Sequence, residues 1–262
     1  YYTNEILLIN LLAIGSPTHS VSPTTFGAWT SELGTYGNYT FYQTWFGQLF
    51  SYFIGQGWLD LRCVLDKSSN INWWHNTAQA ALENRQFVID HSMTYAAYMT
   101  NSWGLSASLG PPIAPYTMTN GGVGIYRGYG ALPKGEPTPP PPLHDGTISP
   151  YAAAGSIAFL SSNPVENEAY QALSYWYHSQ PQLWSIYGFV DAFNLGTVSD
   201  KGTMDWFAHD LIGIDQGMSL LSIENYSTHF VWNTMTGDPV IQQAINAVFK
   251  DSSCIFLPLI FK

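Results

Sequence analysis

The chain has 262 residues, enough for one large domain or two small ones, and 46% of them are apolar, which supports a sizeable core and excludes general disorder. Only 10% are Asp, Glu, Lys or Arg, against about 25% in an average soluble domain, while aromatics reach 16% with ten Trp and seventeen Tyr. A net charge of −10 with eight Lys plus Arg offers no basic patch for phosphates, so nucleic acid and anionic membranes are excluded as natural partners and a neutral ligand fits better.

From Asn4 to Ile14 the apolar residues are nearly continuous, which predicts a helix buried all round, stopped by Gly15-Ser16-Pro17. Residues 20–40 carry Ser, Thr, Gly and Pro without a period and read as a long structured loop. A second helix is expected from Gln43 to Val64. Asn70 to Met99 gives the clearest amphipathic pattern, with Trp73, Thr77, Ala80, Ala81, Asn84, Phe87, Val88 and His91 at three- and four-residue steps. Residues 101–147 hold much of the Gly and Pro, including the run Pro137 to Pro142, and are expected to be irregular or polyproline-like. Helices then recur at Pro150 to Phe159, Asn163 to Ser179, Trp206 to Phe230 with an internal break, and Asp238 to Phe249. The predicted class is all-α, with a broad loop-built surface at one end of the bundle.

The longest apolar runs, 6–14 and 254–261, fall short of the roughly 20 residues a membrane-spanning helix needs. Because the chain opens directly on a helical pattern, its first residue is not expected to be the start of the gene product. Cys63 and Cys254 form one disulfide or stay free; neither C-x-x-C nor H-E-x-x-H occurs, so no metal and no cofactor are expected. The triplets Asn38-Tyr39-Thr40 and Asn225-Tyr226-Ser227 read as glycosylation acceptors. They favour an extracellular or periplasmic location.

Among the eighteen acids, Glu5 stands out, because a carboxylate beside a long apolar run at a helix start is costly unless paired or used, and burial would raise its pKa towards that of a working acid. A capping role in the first helical turn is the alternative. Asp191 between Val190 and Ala192, and Asp215 between Ile214 and Gln216, are isolated acids in apolar settings that must be hydrogen-bonded. Either binds a ligand's hydroxyls or holds a loop by accepting backbone N–H bonds; Glu224 reads as a supporting residue. His19, after the first helix, either orients a ligand hydroxyl or is a packed or solvent-facing histidine, and Trp103 with Asn101, on a Gly-bounded loop, is less needed for the core and could stack on a flat ligand ring. Asp60 and Arg62 cannot face each other on a helix, so their pairing requires a bend and anchors structure.

Several ordered strings carry a resemblance: Thr3-Asn4-Glu5 with Leu11-Leu12-Ala13-Ile14-Gly15-Ser16-Pro17-Thr18-His19; Asn84-Arg85-Gln86-Phe87; Asn101-Ser102-Trp103-Gly104-Leu105; Asp145-Gly146-Thr147-Ile148-Ser149-Pro150; Tyr187-Gly188-Phe189-Val190-Asp191-Ala192-Phe193-Asn194; and Gly213-Ile214-Asp215-Gln216-Gly217 with Ile223-Glu224-Asn225-Tyr226. In this order over residues 1–250 the sequence resembles the glycoamylase-like family of endo-β-1,2-glucanases and the transglycosylation domain of cyclic β-1,2-glucan synthases. Residues 251–262 read as a tail with no counterpart. The resemblance implies the C-terminal half of an (α/α)6 toroid, a missing N-terminal half or second chain as partner, and a neutral oligo- or polysaccharide as ligand. It implies a catalytic carboxyl at Glu5 and sugar contacts from His19, Asn101, Trp103, Asp145, Tyr187, Asp191 and Gln216, supported by Arg62, Asp215 and Glu224. The second catalytic carboxyl is expected outside this chain.

The sequence departs from that pattern where relatives carry an acid after the Trp103 segment and this chain has Leu109, and where it has Ser51-Tyr52-Phe53 and Leu61-Arg62-Cys63. The expected function is a glycoside hydrolase or transglycosylase acting on β-glucan, β-1,2-linked by resemblance. The rival is a non-catalytic carbohydrate-binding or assembly module that keeps the fold.

Overall fold

The computed structural model describes residues 2–44, 46–112, 124–132, 144–200 and 205–252. Its first helix, α1 (Asn4–Gly15), is buried along Leu7, Leu11 and Ile14 and open along Glu5, Ile9 and Leu12. The expectation of all-round burial is corrected: α1 packs one face on the last helix and leaves an apolar stripe uncovered. Gly15 is its last residue, and glycine there lets the last helix approach, since a β-carbon would sit 2.5 Å from the Val240 carbonyl oxygen.

The expected loop over residues 20–40 contains an antiparallel hairpin, β1 (Glu32–Tyr36) and β2 (Tyr39–Gln43), turned at Gly37. The helix expected over Gln43 to Val64 shrinks to α2 (Phe50–Phe53), followed by turns and strand β3 (Val64–Asp66). Between α2 and β3 the chain runs through turns, with strands touching the expected helix only at its ends, Gln43 and Val64. The long amphipathic helix expected over Asn70 to Met99 is borne out only as α3 (Trp73–Asp90), capped where the Asn72 side chain accepts the His75 amide at 2.7 Å, and residues 91–99 form turns instead. Asn76 locks α3 to the hairpin, its Oδ1 accepting from the Tyr42 amide and its Nδ2 donating to the Tyr42 carbonyl.

Residues expected to be irregular form β4 (Ala107–Gly110), paired with β5 (Ile125–Gly128), and β6 (Thr147–Ile148). The run Pro137 to Pro142 lies outside the described residues. Helix α4 (Pro150–Ser156) continues as a 3-10 turn to Phe159 and is buried at every position. Its small residues let α2 come close: a β-carbon at Gly155 would meet the Phe53 ring at 2.4 Å. Helix α5 (Glu168–Ser179), capped by Asn167, buries only Ala169, Ala172 and Trp176 and keeps a solvent face.

A hairpin, β7 (Trp184–Ser185) and β8 (Gly188–Phe189), leads to β9 (Phe193–Asn194), which is flanked by β6 and β10 (Trp206–Phe207) in a three-stranded sheet. The helix expected from Trp206 begins later, as α6 (Gly213–Thr228), and His229 in the left-handed region (φ 59°) breaks it from α7 (Phe230–Thr236). The last helix, α8 (Pro239–Val248), runs into β11 (Phe249–Asp251), which pairs with β3 and so spans the expected domain boundary at 250. The fold is therefore helical with short sheets between helices, and an all-α class is corrected to that extent.

The bundle has two distinct ends. At one, the starts of α2, α4 and α6 gather around β4: the Leu49 amide donates to the Leu105 carbonyl, the Tyr151 hydroxyl to Ser106 Oγ, and Ser149 Oγ to Ser108 Oγ. At the other, Asn225 on α6 donates to the Gly57 carbonyl, the Trp232 indole to the Gln56 carbonyl, and Gln56 to the Trp73 carbonyl. Asn4 joins this second end, its Oδ1 accepting the Gln56 amide at 3.1 Å. Cys63 is disulfide-bonded; Cys254 lies outside the described residues.

Candidate functional site

Glu5 begins α1 at the end of the bundle marked by Gln56 and Asn225. It is exposed, contradicting the expected burial, and Thr3 Oγ1 donates to its Oε2 at 3.4 Å. It stands on the open face of α1 with Ile9, 63% exposed, and Leu12 one and two turns further on.

The carboxyls of Asp191 and Asp215 occupy the opposite end. Asp215 lies in the first turn of α6, and about 15 Å of helix, at 1.5 Å per residue, separates it from Asn225. Both aspartates are 0% exposed, and Asp191 Oδ2 accepts the Leu109 amide at 2.7 Å. Asp191 is thus corrected from a sugar contact to a buried anchor of β4, and the departure at Leu109 is explained: its side chain packs with Ala192, Trp206 and Ala208 while its backbone serves Asp191. Burial, and then the neighbouring Asp191, push the Asp215 carboxyl up to about 9.

Trp103 is also corrected. It is fully buried, its indole donating to the Glu168 carbonyl at 3.2 Å, and a ring packed on both faces has none left for a sugar. Asp145 is committed within the fold: Oδ1 accepts from the Thr147 amide and hydroxyl, and Oδ2 faces Arg127 Nη1 at 3.5 Å and the Tyr129 hydroxyl at 3.4 Å. Glu224 accepts from the Thr228 hydroxyl one turn on, a local helix contact.

Besides Asp145, which is partly exposed, four expected contact residues remain partly or fully accessible. Tyr187 is 73% exposed at the tip of the β7–β8 hairpin, and Gln216 fastens that hairpin to α6 by donating to the Phe189 carbonyl at 2.7 Å. Asn101 is half-buried in a turn closed by Met99 and Ser102. His19 is exposed beside Thr18, but α1, about 18 Å long at 12 residues, stands between it and Glu5. The structure brings Tyr187, Gln216, Asp191 and Asp215 to one end and leaves Glu5 at the other.

The bend required of Asp60 and Arg62 is present. They lie beyond α2 in non-helical chain and form a two-toothed ion pair, Arg62 Nη2 to Asp60 Oδ2 at 2.7 Å and Nε to Oδ1 at 2.9 Å. The guanidinium also lies 4.8 Å from the Trp232 ring centre and meets His229 Nε2 at 3.1 Å. Burial, then the Arg62 charge, lower the His229 pKa. This cluster fastens the α6–α7 junction.

Two residues were missed. Glu83 on α3 is 1% exposed and its Oε1 has no partner; burial pushes its carboxyl up to about 8. Its inward phase was readable, since it lies three residues after Ala80 and four before Phe87. Arg127, which reaches Asp145 from β5, sat in a stretch with no pattern to mark it. Among the described residues no three acidic, His or Cys side chains gather as a metal site, and no helix is long and apolar enough to cross a membrane.

Residues 1–239 match the Glycoamylase family model, described as "Putative glucoamylase". The chain belongs to the glycoamylase family. A curated relative, the exo β-1,2-glucooligosaccharide sophorohydrolase (non-reducing end) of Parabacteroides distasonis, is 25% identical over 269 residues, covering 94% of this chain and 33% of that protein. The endo-β-1,2-glucanase of Chitinophaga pinensis, solved with sophorotriose and glucose, superposes with a TM-score of 0.73 at 24% identity over 96% of this chain and 55% of its own. A β-1,2-glucanase structure from Parabacteroides distasonis gives 0.69 at 24% identity over 91% and 33%. The glycoamylase-family chain therefore spans a third to about half the length of these relatives.

Proposed function

We propose that this chain is the C-terminal half of an (α/α)6 toroid that hydrolyses β-1,2-linked glucan. What carries the reading is the agreement of fold with β-1,2-glucanases along nearly the whole chain, joined to a family match over residues 1–239. The low charge and abundance of rings suit a neutral polysaccharide.

Glycoside hydrolysis uses one protonated and one ionised carboxyl flanking the bond. Glu5 is one of these groups: it is accessible, and it stands on a helix face whose neighbours Ile9 and Leu12 await cover. The other half of the ring packs along this stripe and along α6, where Ile214, Leu220 and Ile223 are exposed, Leu220 by 68%. That half, upstream in the same protein or on a second chain, supplies the second carboxyl and the wall that closes the site over Glu5. Tyr187 and Gln216 at the loop-built end contact more distant sugar units, and the enzyme works outside the cytoplasm.

The non-catalytic alternative is favoured by one observation, that Glu5 is exposed and accepts a hydrogen bond from Thr3 at its own helix start. A Glu5→Gln variant of the full-length protein, assayed for reducing sugar released from linear β-1,2-glucan, decides. Loss of turnover with an unchanged melting temperature supports the assignment. Equal activity in both proteins returns Glu5 to a helix-start role.

A further inference from the structure

Asp191 and Asp215 are completely buried, neighbouring carboxyls, and only one of their four oxygens has a fixed donor, the Leu109 amide on Asp191 Oδ2. Asp191 Oδ1 and both Asp215 oxygens have none. An ionised carboxylate can only accept, and two buried carboxylates left unpaired would each cost several kcal/mol. The groups facing them do not help. Tyr126 donates its hydroxyl to the Ala107 carbonyl, the Tyr151 hydroxyl donates to the same carbonyl at 2.6 Å and is shared with Ser106 Oγ at 2.7 Å, and Asp210 adds a like charge. The two ion pairs among the described residues, Arg62–Asp60 and Arg127–Asp145, lie elsewhere.

We infer that the missing donor is a proton held by the pair itself, carried on Asp215 and donated to Asp191 Oδ1, and that this shared proton latches the start of α6 to strand β4. The chain of contacts runs from α6 through Asp215 and Asp191 to the Leu109 amide, and from Leu109 across the β4–β5 ladder to Tyr126. The same segment continues from the β7–β8 hairpin that displays Tyr187. The latch therefore gathers the loop-built end of the bundle, whatever reaction that end serves. Ionisation of both groups would place two like charges in contact without solvent, so the latch opens at alkaline pH. The direction of the Asp215 shift, upward through burial and through Asp191, agrees.

The test is a pH titration of the full-length protein with 13C-labelled aspartate carboxyls, followed by NMR. One aspartate signal should keep its proton past neutral pH, vanish in Asp215→Asn, and titrate lower in Asp191→Asn, where the like charge is gone. Asp215→Asn, whose amide can donate to Asp191, should retain the wild-type melting temperature at neutral pH and lose its alkaline decline, whereas Asp215→Ala should melt lower. The inference is overturned if every aspartate is ionised below neutral pH, if the asparagine and alanine variants melt alike, or if chelation releases a metal ion from the pair. None of these readouts uses glucan, so a failure here is distinct from a failure of the proposed activity.

Discussion

Asn84 on α3 holds Leu105 by both ends of its side-chain amide, Oδ1 accepting the Leu105 amide at 2.9 Å and Nδ2 donating to the Leu105 carbonyl at 3.1 Å. The side chain stands in for a neighbouring strand at a buried position where no strand runs. Leu105 O also receives the Leu49 amide, so α2, α3 and the chain leading to β4 meet at one peptide. Replacing Asn84 with Ala leaves the Leu105 amide without an acceptor, at about 1–3 kcal/mol for an orphaned buried donor. Urea denaturation should show that loss, and Asn84→Asp, which keeps the acceptor but buries a carboxylate oxygen against the Leu105 carbonyl, should lose at least as much at neutral pH.

Gly155 faces the Phe53 ring so closely that a β-carbon would sit 2.4–2.7 Å from three of its atoms. Gly155→Ala should cost about 1–3 kcal/mol through overpacking. Trimming the ring in Gly155→Ala/Phe53→Leu should recover part of it, a non-additivity that a double-mutant cycle measures directly. Additive losses would mean the two residues do not compete for the same space.

Glu83 keeps its proton in the fold up to about pH 8, against 4.5 for an unperturbed side chain. Between these values the folded state binds more protons than the unfolded one, so stability falls as pH rises, with a slope approaching about 1.4 kcal/mol per pH unit for one proton. Glu83→Gln removes that slope. Thermal melts should show variant and wild type alike below pH 4.5 and the variant more stable above about pH 8. A variant that melts lower at every pH would assign the side chain a packing role instead.

Trp103 was expected to stack on sugar and is instead core. Trp103→Ala should therefore destabilise the protein by about 3–5 kcal/mol. A Trp103→Phe variant that still folds should keep its affinity for glucan oligosaccharides in calorimetric titration. Weakened binding at unchanged stability would restore the sugar-stacking reading.

The helices were legible where the pattern was long and its caps distinct: α3 with Asn72, α5 with Asn167 and α8 with Asp238 all begin within a few residues of their expected starts. The short strands were not, because strands of two to five residues embedded in Gly- and Pro-rich chain show too few alternations to carry a period. Glu5 was misjudged for a different reason. A run of apolar residues reports hydrophobicity and not what covers it, and here the stripe containing Ile9 and Leu12 faces open space. Trp103 failed likewise, since a glycine-bounded loop can cross the interior, and only long-range partners such as Glu168 reveal that it does. Asp215 was read as an acid that must be hydrogen-bonded, yet neither of its oxygens has a donor among the described residues, and its neighbour Asp191, 24 residues away, lay beyond any local pattern.

The central claim is that the full-length protein breaks β-1,2 linkages. Incubating it with linear β-1,2-glucan and, separately, with β-1,3-glucan, then resolving the products by chromatography, tests this most directly. The account predicts short β-1,2-linked oligosaccharides from the first polymer and none from the second. Retention of both polymers at full length by a folded protein would contradict it, most plainly if the first is bound without being cut.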